Sequence, residues 1–240
     1  MHTDRSVKDL TAHLFHGSLR RVSSLRDRYC PPAPRLSGVE EITAFIQQDN
    51  REFMTGMRRV SPQVLIELIE LYDREVLRLF AALEPDAPGL GVAWAGETVS
   101  CNWFDIAREY TEKWHHQQQL RDATGQPPLY AAELLVPALE TFARGLPFAY
   151  RDLEAGTRTR VAISTTGAAA VGWTLRHDGE SWSLWSGADP AATTAIRIPA
   201  DVAWRVWTRG ESPDRARGHV EVTGDGKSVA PLLRFVAIMA

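Results

Sequence analysis

The pattern of apolar residues changes near Pro147, and this change constrains the fold more than any other feature of the chain. Before Pro147, apolar residues recur at helical spacing over long segments. After it, short segments alternate between polar and apolar residues, as half-buried strands do. A chain of 240 residues is long enough for two ordinary domains. We therefore predict a two-domain α+β protein, with a helical domain over residues 1–147 and a mixed domain over residues 148–240.

The helical half contains several local start signals. Ser6 with Asp9 three residues later is a capping-box pattern, and it predicts the beginning of the first helix. Ser61 followed by Pro62 is an N-cap residue with proline at the first helical position, which predicts the beginning of another helix. Residues 88–96 are predicted to form a loop. The remaining predicted helices are 38–54 (short), 102–124 and 131–144.

The second half has the pattern of a small antiparallel sheet. Asp178-Gly179 separates two alternating segments and is a typical hairpin turn. We expect three to five antiparallel strands with two helices on one side, over residues 199–208 and 227–239. The predicted strands cover residues 158–166, 171–177, 181–185, 195–198 and 218–223.

Charge, hydropathy and cysteine content exclude several classes of protein. The 27 basic and 30 acidic side chains give a net charge of −3, which argues against a protein that coats nucleic acid. No apolar run approaches the roughly 18 residues of a membrane helix, and the N-terminus has no signal-peptide pattern. Cys30 and Cys101 have no CxxC spacing and are expected to be unpaired thiols. We therefore expect a cytoplasmic protein that binds neither nucleic acid nor a membrane.

The helix predicted at 102–124 carries the residues best suited to chemistry. Glu112 and His116 are four residues apart, so they lie on one face of that helix, one turn apart. Such a pair can bind one metal ion, but it is more often a solvated pair. A third ligand must come from another helix, where His13 is the best candidate and His16 the reserve. The spacing alone leaves a metal site and a hydrogen-bonded core histidine as alternatives.

The segments around these histidines also carry a family resemblance. DLTAHL (9–14) and EKWHHQQQLR (112–121) resemble the DxxAHL and ExWxHxxDIR-like segments of the mycothiol-dependent maleylpyruvate isomerase family. In that family the first segment carries one ligand histidine, and the second carries a glutamate and a second histidine. The ending VTGDGKSVAPLLRFVAIM (222–239) resembles the family's closing strand–turn–helix segment. This chain has Gln119 where the family often has aspartate.

The resemblance implies a fold, a ligand set and a cofactor. The fold would be a DinB-like metal-binding helical bundle followed by a sterol-carrier-protein-like α+β domain. His13, Glu112 and His116 would hold a divalent metal ion, with zinc foremost, and mycothiol would supply the thiol for isomerisation or transfer on a small anionic substrate. An arginine of the second domain would bind the substrate carboxylate, and Arg217 and Arg234 are the candidates.

The chain departs from the family at its start. Relatives generally have another helix ahead of the one that carries His13, and a tryptophan near the position of Arg5. Either the chain starts downstream of its natural start, or an apolar groove is open for a partner, with a homodimer as one arrangement. Two other functions stay open. One is a non-catalytic module that binds a small molecule or a partner and has a structural or vestigial metal site. The other is a metal hydrolase with Glu109 as general base.

Overall fold

The structure is a computed structural model that describes residues 5–32, 34 and 39–237. Its packing divides into two compact units, which we call the helical unit (residues up to 87, with 116–127) and the mixed unit (88–115, with 128 onwards). The α+β class is confirmed, because the mixed unit contains a five-stranded sheet. The domains predicted at 1–147 and 148–240 stay a prediction, since these units are defined by packing and interleave along the chain.

Helices form the whole regular structure of the helical unit in the described part of the chain. They are α1 (Val7–Leu25), α2 (Val39–Met57), α3 (Pro62–Ala81) and the end of α4 (Asn102–Thr124). The predicted capping box begins α1: Ser6 Oγ accepts a hydrogen bond from the Asp9 backbone N–H, and Asp9 accepts one from the Ser6 N–H at 3.0 Å. The predicted cap of α3 also forms, with Ser61 Oγ accepting from a backbone N–H. The segment predicted as a short helix forms the 19-residue α2, while Gly38 lies outside the described residues.

The core of the helical unit fixes the orientation of α1. Ala12 and Phe15 on α1 are buried with Met54 of α2 and Leu65 of α3. The ring of Phe15 lies 5.7 Å from that of Tyr72, centroid to centroid, in an edge-on arrangement. Burial of each large apolar side chain contributes about 1.5–3 kcal/mol. These contacts set which face of α1 turns towards its neighbours, and the histidines of α1 lie beside that face.

The mixed unit is built around the sheet. Its strand order is β5-β4-β3-β6-β7. A separate pair is formed by β1, which lies inside the predicted loop 88–96, and β2, which follows that loop. The strands are β1 (Pro88–Leu90), β2 (Val99–Cys101), β3 (Arg160–Thr166), β4 (Gly172–His177), β5 (Trp182–Ser186), β6 (Thr194–Pro199) and β7 (Glu221–Thr223). Besides the first part of α4, the helices are α5 (Ala132–Ala143), α6 (Leu146–Ala149), α7 (Ala200–Trp207), α8 (Pro213–Arg217) and α9 (Val229–Arg234).

The sheet is predominantly antiparallel, with one exception that the sequence did not predict. β3 pairs with β4 in antiparallel register, but it pairs with β6 in parallel register. In the chain, the hairpin of β4 and β5 lies between β3 and β6. After β5 the chain crosses back over the sheet, and β6 then runs beside β3 in the same direction. A parallel neighbour needs such a crossover, whereas a two-residue turn gives only antiparallel neighbours.

The end of the chain also differs from the prediction. The helix predicted over 227–239 ends at Arg234, because Phe235 has an extended backbone and Ala237 N–H donates to the Trp207 carbonyl at 2.8 Å. Phe235 is buried against Trp207, with 6.0 Å between ring centroids. Residues 238 and 239 lie outside the described residues. The predicted strand 218–223 is shortened to β7, because residues 218 and 219 form a turn after α8, in which the His219 N–H donates to the Ala216 carbonyl at 2.9 Å.

Trp207 is at the centre of the mixed unit's core. Its side chain is fully buried, and its indole N–H donates to the Leu232 carbonyl at 3.1 Å. Phe142 of α5 and Trp173 of β4 both approach it edge-on, at 6.4 Å between ring centroids. The sheet, α5, α7 and α9 therefore share one aromatic core. Among the described residues, no helix combines the length and the apolar character that crossing a membrane demands.

Candidate metal centre

The three predicted ligands come together in the structure. One ring nitrogen of His13, one of His116 and a carboxylate oxygen of Glu112 all lie within 4.8 Å of one another. His116 is buried, and the other two side chains are half-buried. Ligand atoms bound to one zinc ion at about 2.0–2.2 Å are about 3–4 Å apart. Small side-chain rotations would therefore close this cluster around an ion, so the cluster could hold one.

Helix geometry alone places Glu112 beside His116. Both belong to the continuous helix α4, where residues four apart are stacked one turn above each other. Trp114, between them in sequence, points elsewhere: it is buried and packs edge-on against Trp204 at 5.3 Å between ring centroids. The tryptophan of the ExWxH pattern is thus a packing residue, while the glutamate and histidine share the other side of the helix.

His13 reaches the cluster from α1. Its ring lies 4.8 Å from the ring of His116, centroid to centroid, with an angle of 82° between the planes. At the start of α1, Asp9 accepts hydrogen bonds from Arg58 at 2.8 and 3.1 Å. This ion pair, together with the core contacts of Phe15, holds α1 against the end of α2. The position of His13 therefore depends on packing between distant segments rather than on local spacing.

Gln119 contacts His116 on the side of the ring away from Nε2. The Nδ1 atom of His116 lies 2.8 Å from the Gln119 Oε1 atom, one turn further along α4. An amide oxygen only accepts hydrogen bonds, so a hydrogen bond between these two atoms requires the proton on Nδ1. Nε2 is then the nitrogen with a lone pair. The sequence analysis noted that Gln119 stands where the segments it resembles often have aspartate, but it did not predict a contact with His116.

His16, the reserve ligand, is held by α2 instead. Its Nδ1 atom lies 3.0 Å from the Asn50 Oδ1 atom, and its Nε2 atom lies 3.6 Å from an Asp49 carboxylate oxygen. The ring also stacks on Phe53, with 4.3 Å between centroids. Burial lowers the pKa of His16, although the Asn50 hydrogen bond acts in the opposite direction. The cluster therefore includes His13 and not His16.

The two candidate arginines lie at helix ends of the mixed unit. Arg217 is the last residue of α8, and its guanidinium donates to the Val220 carbonyl at 3.1 Å. Arg234 is the last residue of α9, and both side chains are exposed. Their contact with a substrate carboxylate stays a prediction. Glu109, the candidate general base, has a mostly buried side chain and forms an ion pair with Arg108 at 2.9 Å.

Comparison with known proteins finds similar solved structures but no matching protein family. No protein-family model matches the chain. No curated protein matches it either. Among solved structures, a histidine-to-alanine mutant of the mycothiol-dependent maleylpyruvate isomerase is similar, with 11% identity and a TM-score of 0.48 over 85% of this chain and 74% of that one. A UbiJ-SCP2 ubiquinone synthesis protein has 16% identity and a TM-score of 0.28, over 39% of this chain and 79% of that one. Both TM-scores are below 0.5, which is too low for either likeness to assign an activity.

Proposed function

We propose that His13, Glu112 and His116 bind one divalent metal ion, with zinc as the first candidate. The observation that carries the proposal is the approach of their ligand atoms to within 4.8 Å of one another. Two imidazoles and one carboxylate are the donors of many catalytic zinc sites, which keep a fourth position open. Nickel and iron accept the same donors, so the identity of the metal is decided by experiment.

A divalent ion at this site would supply Lewis-acid chemistry and make a thiol or a water molecule ionise more readily. The residues of the chain would set the charge and the shape around it. Glu112 contributes one negative charge, and the two histidines bind as neutral imidazoles. The site with its ion would therefore carry a net positive charge, which favours anionic small molecules.

We further propose that the protein is a thiol-dependent isomerase or transferase that acts on a small anionic substrate. The support is the resemblance of the segments 9–14 and 112–121 to those of the maleylpyruvate isomerase family, together with the convergence of their three ligand residues. Cys30 and Cys101 are both exposed, and neither belongs to the cluster found among the described residues. The reacting thiol would then come from a small cofactor, for which mycothiol is the candidate.

A direct isomerisation assay tests this activity. Zinc-loaded protein is mixed with mycothiol and maleylpyruvate, and formation of fumarylpyruvate is followed by chromatography. We expect turnover that requires both metal and thiol, and that is lost in Glu112→Gln. Glu70→Gln, the same change at an exposed position of α3, should keep full activity. Activity that survives Glu112→Gln, or that is independent of the thiol, would contradict the proposal.

Assays with other thiols and other substrates separate the two alternative functions. A non-catalytic binding module would retain its metal and yet convert neither maleylpyruvate nor related unsaturated dicarboxylates with any thiol. A metal hydrolase would cleave ester or amide substrates without a thiol, and its rate would fall in Glu109→Gln. Each of these results would replace the isomerase or transferase assignment while leaving the metal site in place.

A further inference from the structure

We propose that Gln119 is a positioning residue for His116: its side-chain oxygen holds the imidazole in the tautomer whose Nε2 atom can bind a metal. The inference rests on the proposed metal site and adds a residue outside its ligand set. The distance of 2.8 Å between His116 Nδ1 and Gln119 Oε1 is that of a well-formed hydrogen bond. Both residues belong to the helical unit and to one helix, so the contact needs no other segment.

The tautomer matters because a neutral imidazole carries its proton on only one of its two nitrogens. A ligand histidine needs the proton on the nitrogen that faces away from the metal. A hydrogen bond from that N–H to an oxygen fixes both the tautomer and the rotation of the ring. Gln119 lies three residues after His116, where side chains on a helix are neighbours, and its oxygen supplies this acceptor.

The chemical nature of the acceptor has a second consequence. An aspartate at this position would add a negative charge, so that the ion, Glu112 and the aspartate would sum to zero formal charge. The neutral amide of Gln119 leaves a sum of +1. Towards the start of α4, the carboxylates of Glu109 and Asp105 share the guanidinium of Arg108, at 2.9 and 2.8 Å. Gln119 thus orients His116 without reducing the attraction of the site for an anionic ligand.

The first test needs no metal. Long-range proton–nitrogen NMR spectra of the metal-free protein report which nitrogen of each histidine carries the proton, and His116→Ala identifies the signals of His116. We expect a protonated Nδ1 in the wild type and loss of this preference in Gln119→Leu. A protonated Nε2 in the wild type would overturn the proposal, because it would mean that the amide is flipped and donates to Nδ1.

The second test measures zinc affinity by competition with a chromophoric chelator. Gln119→Leu should weaken zinc binding by about 10-fold to 100-fold. Gln117→Leu, the same change two residues earlier on α4, is the matched control and should bind zinc as the wild type does. Gln119→Glu keeps an acceptor oxygen in place and should restore wild-type or tighter binding. Equal affinity in wild type and Gln119→Leu, or no rescue by Gln119→Glu, would overturn the proposal.

A third measurement addresses the charge. Azide is titrated into cobalt-loaded protein, and its binding is followed by the visible absorption of the cobalt ion. Azide should bind about threefold or more weakly to Gln119→Glu than to the wild type, because the added carboxylate cancels the positive charge. Equal binding would overturn the charge argument.

The failures of the two proposals can be told apart. A wild-type protein that binds no zinc would refute the metal site, and the NMR result would still decide whether Gln119 fixes the tautomer of His116. A wild-type protein that binds zinc with the affinity of Gln119→Leu would refute the role of Gln119 alone. Thermal unfolding of the metal-free variants checks that they fold alike, since a merely structural role would lower stability without changing the tautomer or the affinity.

Discussion

Replacing Asp9 by asparagine should remove the charge that joins the start of α1 to the end of α2, and so destabilise the helical unit. The Asp9 side chain is only 4% exposed and accepts four hydrogen bonds. Two come from Arg58, at 2.8 and 3.1 Å, and two from Ser6, at 3.0 and 2.8 Å. Asparagine has nearly the same shape, but it offers one acceptor oxygen and no charge.

The size of the loss follows from the exposure of the partners. The Arg58 side chain is 58% exposed, so solvent screens the ion pair and its contribution is about 1 kcal/mol. Weakening of the capping box adds about 0.5–1 kcal/mol. We therefore expect Asp9→Asn to lower the free energy of unfolding by about 2 kcal/mol near neutral pH.

The loss should depend on pH in a defined direction. The hydrogen bonds from Arg58, followed by those from Ser6, hold the pKa of Asp9 well below its usual range, although burial acts to raise it. Because the folded-state pKa is lowered, the stabilisation is fully present above the unfolded-state pKa of about 3.9. It is lost as the pH falls through the folded-state pKa. The difference between wild type and Asp9→Asn should be constant from about pH 7 to pH 5 and shrink below about pH 4.

Urea unfolding followed by circular dichroism, at several pH values, measures this difference. Asp27→Asn is the matched control, because Asp27 forms an exposed ion pair with Arg26 just after the end of α1. Asp27→Asn should lower the free energy of unfolding much less than Asp9→Asn does. A loss in Asp9→Asn that is no larger than in the control, or that stays the same at about pH 3, would refute the reasoning.

Two further predictions concern the mixed unit and the end of α4. Gly96→Ala should cost about 2–4 kcal/mol, because Gly96 has a φ of +78° and an added Cβ would lie 2.5 Å from the Phe148 ring. Gly125→Ala is the control: Gly125 has a φ of +65° with open space around it, so this change should lower the free energy of unfolding by only about 1 kcal/mol. Equal losses of stability in the two variants, measured by urea unfolding, would argue against the clash with Phe148. Tyr150→Phe should cost about 1–3 kcal/mol, because the buried hydroxyl donates to the Ser228 carbonyl at 2.6 Å; an unchanged urea midpoint would contradict this.

The sequence predicts those elements whose signals act within one helical turn. The capping box of Ser6 and Asp9 and the Ser61–Pro62 pair placed the starts of α1 and α3 correctly, because each donor and acceptor is at most three residues away. The spacing of Glu112 and His116 is equally local, since helix geometry fixes it.

Other features depend on contacts between distant segments and could not be predicted in this way. The last helix ends early because Phe235 enters the aromatic core, and because the backbone N–H of Ala237 finds the carbonyl of Trp207. The parallel pairing of β3 with β6 depends on how the chain crosses back after a hairpin. The pattern of hydropathy along the sequence does not predict where the last helix ends or that β3 pairs with β6.

The choice between the two histidines of α1 shows the same limit within the site. His13 and His16 are three residues apart on one side of α1, so spacing could rank them but not decide between them. The structure separates them because Asn50 and Asp49 of α2 contact the ring of His16, whereas the ring of His13 lies against that of His116. The partners of His16 lie more than thirty residues further along the chain, beyond the reach of any local pattern.

Metal content tests the central claim most directly. Wild type, His13→Ala, His16→Ala and His116→Ala are incubated with equal zinc and desalted, and the zinc retained per chain is measured by mass spectrometry. Circular dichroism confirms that each variant is folded. We expect close to one zinc ion per chain in the wild type and in His16→Ala, and little in the other two. A wild type that retains no zinc, or four proteins that retain it equally, would contradict the account.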